Sequence, residues 1–271
     1  MRFTWMMLLT AGLILSGWMV PLSRAQGADL ECLIEPYRIV NVASPLDGVL
    51  ERVAVERGDL VKEGQVLAVL ESNVQRAALA VAKARAEVET TVESGQVRLE
   101  YSIRRVASNE DLLEKKGISE REVDDSRAQR DLSRIALVDA KVNQHLAELQ
   151  AEQAAAELDV RTIRSPIDGV VMERLLSPME QTKQTPIVKL AQLDPLRVEV
   201  FAPIALLGKV SVGMTGEVMP EAPVGGTYPA RVTVVDRVVD ATSNTFGVRL
   251  ELRNPGNRLP AGLKCMVRFT R

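Results

Sequence analysis

Two hydrophobic rhythms alternate along the chain. Residues 38–72 and 160–193 carry short runs of Val, Leu and Ile broken by Gly, Pro and Asp, which read as strands joined by tight turns. Between them apolar residues recur every seven positions: Val74, Val81, Val88 and Gly95 form one series, and Val92, Leu99, Val106 and Leu113 an interleaved one. Together they give the four-and-three spacing of a helical seam. After a break the pattern resumes as Ala128, Ile135, Val142, Leu149 and Ala156. The pattern predicts two helices of about 40 residues, folded back as an antiparallel hairpin about 60 Å long at roughly 1.5 Å per residue. The break reads EKKGISERE. Gly117 follows a basic last turn as a C-cap glycine would, and Ser119 with Glu122 predicts a capping box that opens the return helix.

The strand-rich segments share a phrase. SPLDGVL starts at Ser44 and SPIDGVV at Ser165, 121 positions later. Each copy follows an extended run and precedes another, so each predicts strand, tight turn, strand. The first copy continues VAVERGDLVKEGQVLAVLES, punctuated by Gly58 and Gly64; the second continues RLLSPMEQTKQTPIVKLAQLD in the same rhythm without glycines. Two similar halves predict a flattened sandwich with internal two-fold pseudosymmetry. Neither half has enough strands to bury an apolar face alone, so the two are expected to complete one domain.

Composition narrows the picture. Only nine of 271 residues are Phe, Trp or Tyr, which is thin for one large core and suits long, narrowly packed helices and an elongated molecule. The net charge of −2 provides no field for steering toward nucleic acid. The first 25 residues read as a signal peptide: Arg2, an apolar run from Phe3 to Val20, and small Ser23 and Ala25 at the −3 and −1 positions. The competing reading is an uncleaved inner-membrane tether, because roughly 17–20 apolar residues can span a bilayer. Cys32 follows Glu31, where a lipoprotein site needs a small residue.

The stretch GVLERVAVERGDLVKEGQVLAVLES resembles the biotinyl/lipoyl carrier fold, in which two β-halves meet at a hairpin bearing a modified lysine. After Glu71-Ser72 comes Asn73-Val74-Gln75-Arg76, and the first lysine, Lys83, lies well along the helical pattern, so no swinging-arm cofactor is implied. A split lipoyl-like domain with a helical hairpin between its halves resembles the HlyD-like periplasmic adaptors, or membrane fusion proteins, of tripartite efflux and secretion systems, most closely those of resistance-nodulation-division (RND) pumps. PLRVEVFAPIALLGKVSVGMTGEV and DATSNTFGVRLELRNPGNRLPAGLKCMVRF resemble the family's β-barrel domain. The resemblance implies a mainly β chain with a long inserted coiled-coil hairpin, a lipoyl-like barrel-sandwich hybrid and a β-barrel. Its expected order is signal peptide 1–25, an N-terminal strand joining the barrel at 26–38, half-sandwiches 39–73 and 161–196, hairpin 74–160, and barrel 197–271. Many RND adaptors carry a further membrane-proximal domain after the barrel, whereas this sequence ends on what resembles the last barrel strand.

The same resemblance implies a function: a periplasmic adaptor joining an inner-membrane transporter, of RND or ATP-binding-cassette (ABC) type, to a TolC-like outer-membrane channel. It would assemble as a homo-oligomeric tube or funnel, trimeric or hexameric. The alternatives are a noncatalytic envelope scaffold, or an adaptor of an ABC-type or type I secretion system. The family's tip motif for channel docking is Arg, Leu four residues on, and Ser seven after that. Leu112 and Ser119 match, Ser108 occupies the Arg position, and Arg105 lies one turn earlier on roughly the same face. Leu113 continues the internal seam, which turns Leu112 partly outward. With Gly117, these residues form the expected docking tip. The family's architecture also sets the N-terminal and last strands side by side, which implies a Cys32–Cys265 disulfide in an exported protein.

No enzyme chemistry is legible. HExxH, P-loop, GxSxG and CxxC patterns are absent, and the single histidine, His145, sits mid-helix among Gln and Glu. Beyond residue 25 the methionines Met172, Met179, Met214, Met219 and Met266 are scattered, where a soft-metal site would cluster them. No catalytic residue, cofactor or metal ligand is assigned.

Overall fold

A computed structural model describes residues 29–183 and 185–270. The expected signal peptide lies outside the described residues. The chain divides into two compact units, one comprising 35–197 with 252–262 and the other 198–251, 263–271 and the segment before 35.

The larger unit contains the sandwich. Its strands are the later part of β1 (Leu30–Ala43), β2 (Gly48–Val53), β3 (Leu60–Val61), β4 (Val66–Leu70), β5 (Thr162–Arg164), β6 (Gly169–Arg174), β7 (Gln181–Thr182) and the earlier part of β8 (Pro186–Pro203). One sheet runs β5-β4-β2-β7, and β8, β6 and β3 follow one another in the other. The pseudosymmetry is a constant offset of 121 residues. Gly48 pairs with Thr182 in β2–β7, and Val61 with Gly169 in β3–β6. The Ser44 hydroxyl donates to the Leu46 carbonyl at 2.6 Å and accepts from the Leu46 N–H; the Ser165 hydroxyl does the same with Ile167, also at 2.6 Å. The repeated phrase is therefore one serine turn built twice.

Each half then reaches into the other. Leu50 N–H donates to the Glu180 carbonyl and Met179 N–H to the Leu50 carbonyl, while Val171 N–H donates to Asp59 and Gly58 N–H to Val171. Leu50, Leu67 and Leu70 from one half share a core with Ile163, Ile167, Val171, Ile187 and Leu190 from the other, all at 5% exposure or less. Burial of each such side chain stabilises by about 1.5–3 kcal/mol. Splitting the halves would forfeit most of that. The second half lacks the glycines of the first, and the structure shows the consequence: Gly58 has φ +95°, and its counterpart Met179 adopts φ +72° with a full side chain.

Between the halves stand α1 (Asn73–Ala86), α2 (Thr90–Glu114) and α3 (Glu120–Asp159). The expectation of two helices is corrected, because the first arm is broken at residues 87–89. Its half-buried positions in α1 are Gln75, Leu79, Ala82 and Ala86, and those in α2 begin at Val92, Gly95 and Leu99. From Ala86 to Val92 the seam advances six residues where a heptad needs seven. A continuous helix could follow that only by overwinding, and the chain leaves the helix instead.

In α2 the expected Val92, Gly95, Leu99, Val106 and Leu113 lie on the less exposed face, and the seam is corrected elsewhere. In α3 the expected Ala128, Ile135, Val142, Leu149 and Ala156 are exposed, Ile135 by 54%. The face toward the other arm carries Val123, Ser126, Ser133, Leu137, Ala140 and Ala147. Val74 and Val81 in α1 and Val88 in the break are exposed as well. The cause is size. Small residues let the helices approach closely: a Cβ on Gly95 would lie 3.4 Å from the Leu137 Cα. Ser102, Ser126 and Ser133 are buried there with their hydroxyls donating to carbonyls of their own helix.

The smaller unit combines the start of β1 and the end of β8 with β9 (Thr215–Pro220), β10 (Tyr228–Asp240), β11 (Thr245–Leu252) and β12 (Leu263–Thr270). The strand order is β1-β12-β9-β10-β11-β8, and β1 also pairs with β8. Along β11, Phe246, Val248 and Leu250 alternate inward, and Val218, Val232 and Val267 meet the same interior. Residues 252–262, within the expected barrel span, pack by contact with the sandwich-bearing unit. Buried Asn254 holds them there. Its amide donates to the Leu193 and Leu259 carbonyls, and its main-chain N–H donates to the Asp194 carboxylate at 2.9 Å.

Candidate functional site at the hairpin tip

The tip begins where α2 stops. The Leu113 and Leu112 carbonyls accept from Lys116 N–H at 2.9 Å and Gly117 N–H at 2.8 Å, a paired closure of the helix end. Gly117 was the expected left-handed cap. The left-handed residue is Lys116, at φ +58°, and Gly117 takes the next position in the turn. Glycine is the residue that ordinarily takes this conformation, and here it stands one position after the residue that does.

Ser119 has φ −88° and ψ 156°, and a reciprocal capping box starts α3. Ser119 N–H donates to the Glu122 carboxylate at 2.9 Å, and Glu122 N–H donates to the Ser119 hydroxyl at 3.4 Å. The main-chain N–H of Ser119, and then its hydroxyl, hold the Glu122 carboxyl below the ordinary carboxylate range. Arg127 reaches across the hairpin to Glu110 at 2.6 Å, and this bond raises the guanidinium further above its ordinary value.

Of the expected tip residues, Leu112 is 40% exposed and Leu113 less so. Arg105 lines a groove of 400 Å³ with Asn109, Ile118, Glu122, Asp125, Ser126 and Gln129. Ser119 meets Glu122 at the edge of that groove. Ser108 is exposed and does not line it. Leu112 and Gly117 are joined through the Leu112 carbonyl. The tip thus presents an apolar side chain, a left-handed lysine and a rigid capped helix start.

Farther along the hairpin, Leu132, Ile135, Val142, Leu146 and Leu149 form an exposed stripe on α3, nearly opposite the seam at about 100° per residue. Val74, Val81, Val97 and Tyr101 expose apolar surface on the other arm. In the smaller unit Cys32 and Cys265 stand opposite each other in the β1–β12 register and are joined, Sγ to Sγ, at 2.08 Å. His145 is exposed, with Nδ1 3.3 Å from the Glu148 carboxylate. Among the described residues no three His, Cys, Asp or Glu side chains gather as metal ligands would.

A sandwich completed by two distant stretches of chain, a helical hairpin between them and a further antiparallel β-unit define the architecture of membrane fusion proteins. Residues 38–191 match the CzcB-like barrel-sandwich hybrid domain and residues 196–271 the CusB-like β-barrel domain, and the chain belongs to this family of periplasmic adaptors. It is 28% identical over 247 residues to the efflux pump periplasmic linker BepD of Brucella suis, covering 84% of this chain and 59% of that one. It is 26% identical over 255 residues to the solvent efflux pump periplasmic linker SrpA of Pseudomonas putida, covering 87% and 59%. The chain thus spans less than two thirds of the length of these curated relatives. The crystal structure of MacA from Actinobacillus actinomycetemcomitans shares the fold at a TM-score of 0.70 and 20% identity, covering 90% of this chain and 79% of that one.

Proposed function

We propose that the chain is a noncatalytic periplasmic adaptor that links an inner-membrane efflux transporter to a TolC-like outer-membrane channel. The observation that carries this reading is the tip: exposed Leu112 beside a rigid, doubly closed turn, at the end of an arm about 60 Å long by the rise of α3. That arm cannot contribute to the β core, so its end is where a partner is met. The printed names of BepD and SrpA, both efflux pump periplasmic linkers, support the same reading. The transporter is of RND or ABC type. The protein is exported by its N-terminal signal into the periplasm, or held at the inner membrane by that segment if it is retained. No helix among the described residues is long and apolar enough to cross a membrane.

The hairpin is a two-stranded coiled coil whose outer faces are built for further copies. Its apolar stripes lie on the outer sides of both arms, where the hairpin itself cannot cover them. Packing α3 of one copy against the first arm of the next buries both. Such a contact uses different patches on the two copies, and repeated by a rotation that closes it gives a ring, here a trimeric or hexameric tube or funnel.

The test compares Leu112→Asp with wild type in the exporting host. The expected result is unchanged helix content by circular dichroism, with loss of both export and co-purification of an outer-membrane channel. Normal export by Leu112→Asp would remove the tip from the mechanism and favour a scaffold.

A further inference from the structure

Four residues other than glycine adopt left-handed backbone among the described residues: Lys116, Met179, Asn244 and Asn257. Asparagine tolerates that conformation because its short amide bonds locally. Lysine has no such compensation, and glycine would adopt φ +58° without the Cβ conflict.

The structural uses of a lysine here are already filled. Lys115 supplies a cation at the C-terminal end of α2 and pairs with Asp111. The Leu112 and Leu113 carbonyls are closed by main-chain N–H groups, which any residue at 116 and 117 provides. The Lys116 side chain is exposed and makes no hydrogen bond or ion pair with any described residue. For the fold alone, glycine would serve better.

We infer that Lys116 is a specificity-determining contact of the tip, its ammonium donating to a carboxylate on the outer-membrane partner while Leu112 makes the apolar contact beside it. The inference rests on the channel-docking reading above. The surrounding helix ends are rich in carboxylates, Glu110, Asp111 and Glu114 on α2 and Glu120, Asp124 and Asp125 on α3. Arg105 and Arg121 are further exposed cations of this region, but they stand on α2 and α3, whereas Lys116 stands in the turn itself beside Leu112, so a partner carboxylate met at the end of the arm faces Lys116 first. The left-handed backbone under this exposed lysine is a cost to folding that a contact outside the chain can offset.

The test uses full-length Lys116→Gly, Lys116→Met and Lys116→Glu, measured for melting temperature and for affinity toward the channel that co-purifies with wild type. Lys116→Gly should melt higher, by about 2 °C, yet bind about 5- to 20-fold more weakly, as expected for loss of one charge-assisted bond. Lys116→Met should weaken binding similarly without the gain in melting, and Lys116→Glu more severely. Added salt should weaken wild-type binding more steeply than binding by Lys116→Met. Wild-type affinity in Lys116→Gly would overturn the inference and leave channel docking standing. Absence of channel binding by wild type would overturn both.

Discussion

The pseudosymmetry supplies its own control for backbone strain at Met179. Gly58 and Met179 occupy the same turn in the two halves, with φ +95° and +72°. A residue with a Cβ loses about 1–2 kcal/mol in left-handed backbone, and replacing it by glycine gives back roughly 0.5–1 kcal/mol through the freer unfolded chain. Met179 is 79% exposed, so little burial is forfeited when its side chain is removed. Met179→Gly should therefore stabilise its turn by about 0.5–1 kcal/mol. Gly58→Ala should destabilise the mate by a similar amount, purely through the backbone, because a Cβ at Gly58 would meet nothing within 4 Å. Native-state hydrogen exchange reads each turn separately. The Leu50 amide donates to Glu180 in the Met179 turn, and the Val171 amide donates to Asp59 in the Gly58 turn. Protection at Leu50 should rise about 2- to 5-fold in Met179→Gly, and protection at Val171 should fall comparably in Gly58→Ala. Unchanged or lower protection at Leu50 would show that Met179 is held by packing within the chain, and the strain argument would fail.

A second symmetric pair separates room from conformation. A Cβ on Gly169 would lie 2.3 Å from the Ala191 carbonyl oxygen, which belongs to the backbone, whereas on Gly48 it would meet only the Leu70 side chain at 3.4 Å; urea denaturation should show Gly169→Ala costing about 3 kcal/mol or more and Gly48→Ala less than about 1. The Glu122 carboxyl is depressed in the folded state, so its contribution is present above its unfolded value near 4.3 and is lost as pH falls through the lower folded value. Helix content at the start of α3 should drop on acidification, and Ser119→Ala, already without the box, should show a flatter pH dependence by circular dichroism. The Cys32–Cys265 bond spans 233 positions, so breaking it should cost up to about 5 kcal/mol. Reductant should lower the calorimetric transition of wild type and leave that of the Cys32→Ser/Cys265→Ser protein unmoved.

The parts most legible in the sequence were those written as local punctuation. The two SPxDGV phrases announced paired serine turns, and the 121-residue offset carried through to ladders and cross-half bonds. Ser119 and Glu122 announced a helix start because a capping box is a contact between residues three apart. The hairpin seam was harder to read, because the largest apolar residues, Ile135, Val142 and Leu149, lie on the face away from the other arm. Size was a misleading guide in α3: close helix packing selected Ser126, Ser133 and Ala140, which carry little hydrophobic signal. The break at 87–89 follows from a one-residue shortfall in a seam that appears only once the true inner face is known. At the tip, the left-handed Lys116 is not legible in the sequence, because that backbone is expected of glycine and Gly117 stands beside it. The placement of residues 252–262 depends on the Asn254 contacts to Leu193 and Asp194, some 60 positions away, which no local pattern encodes.

The central claim, that the hairpin tip meets an outer-membrane channel, is tested most directly by a photo-crosslinking residue at position 112 in the exporting host, with a control at Ile135 on the outer stripe of α3. Irradiation should join position 112 to an outer-membrane channel and position 135 to a second copy of this chain. If position 112 captured only copies of the same chain, or no membrane protein at all, the tip would not be the docking surface and the adaptor account would be contradicted.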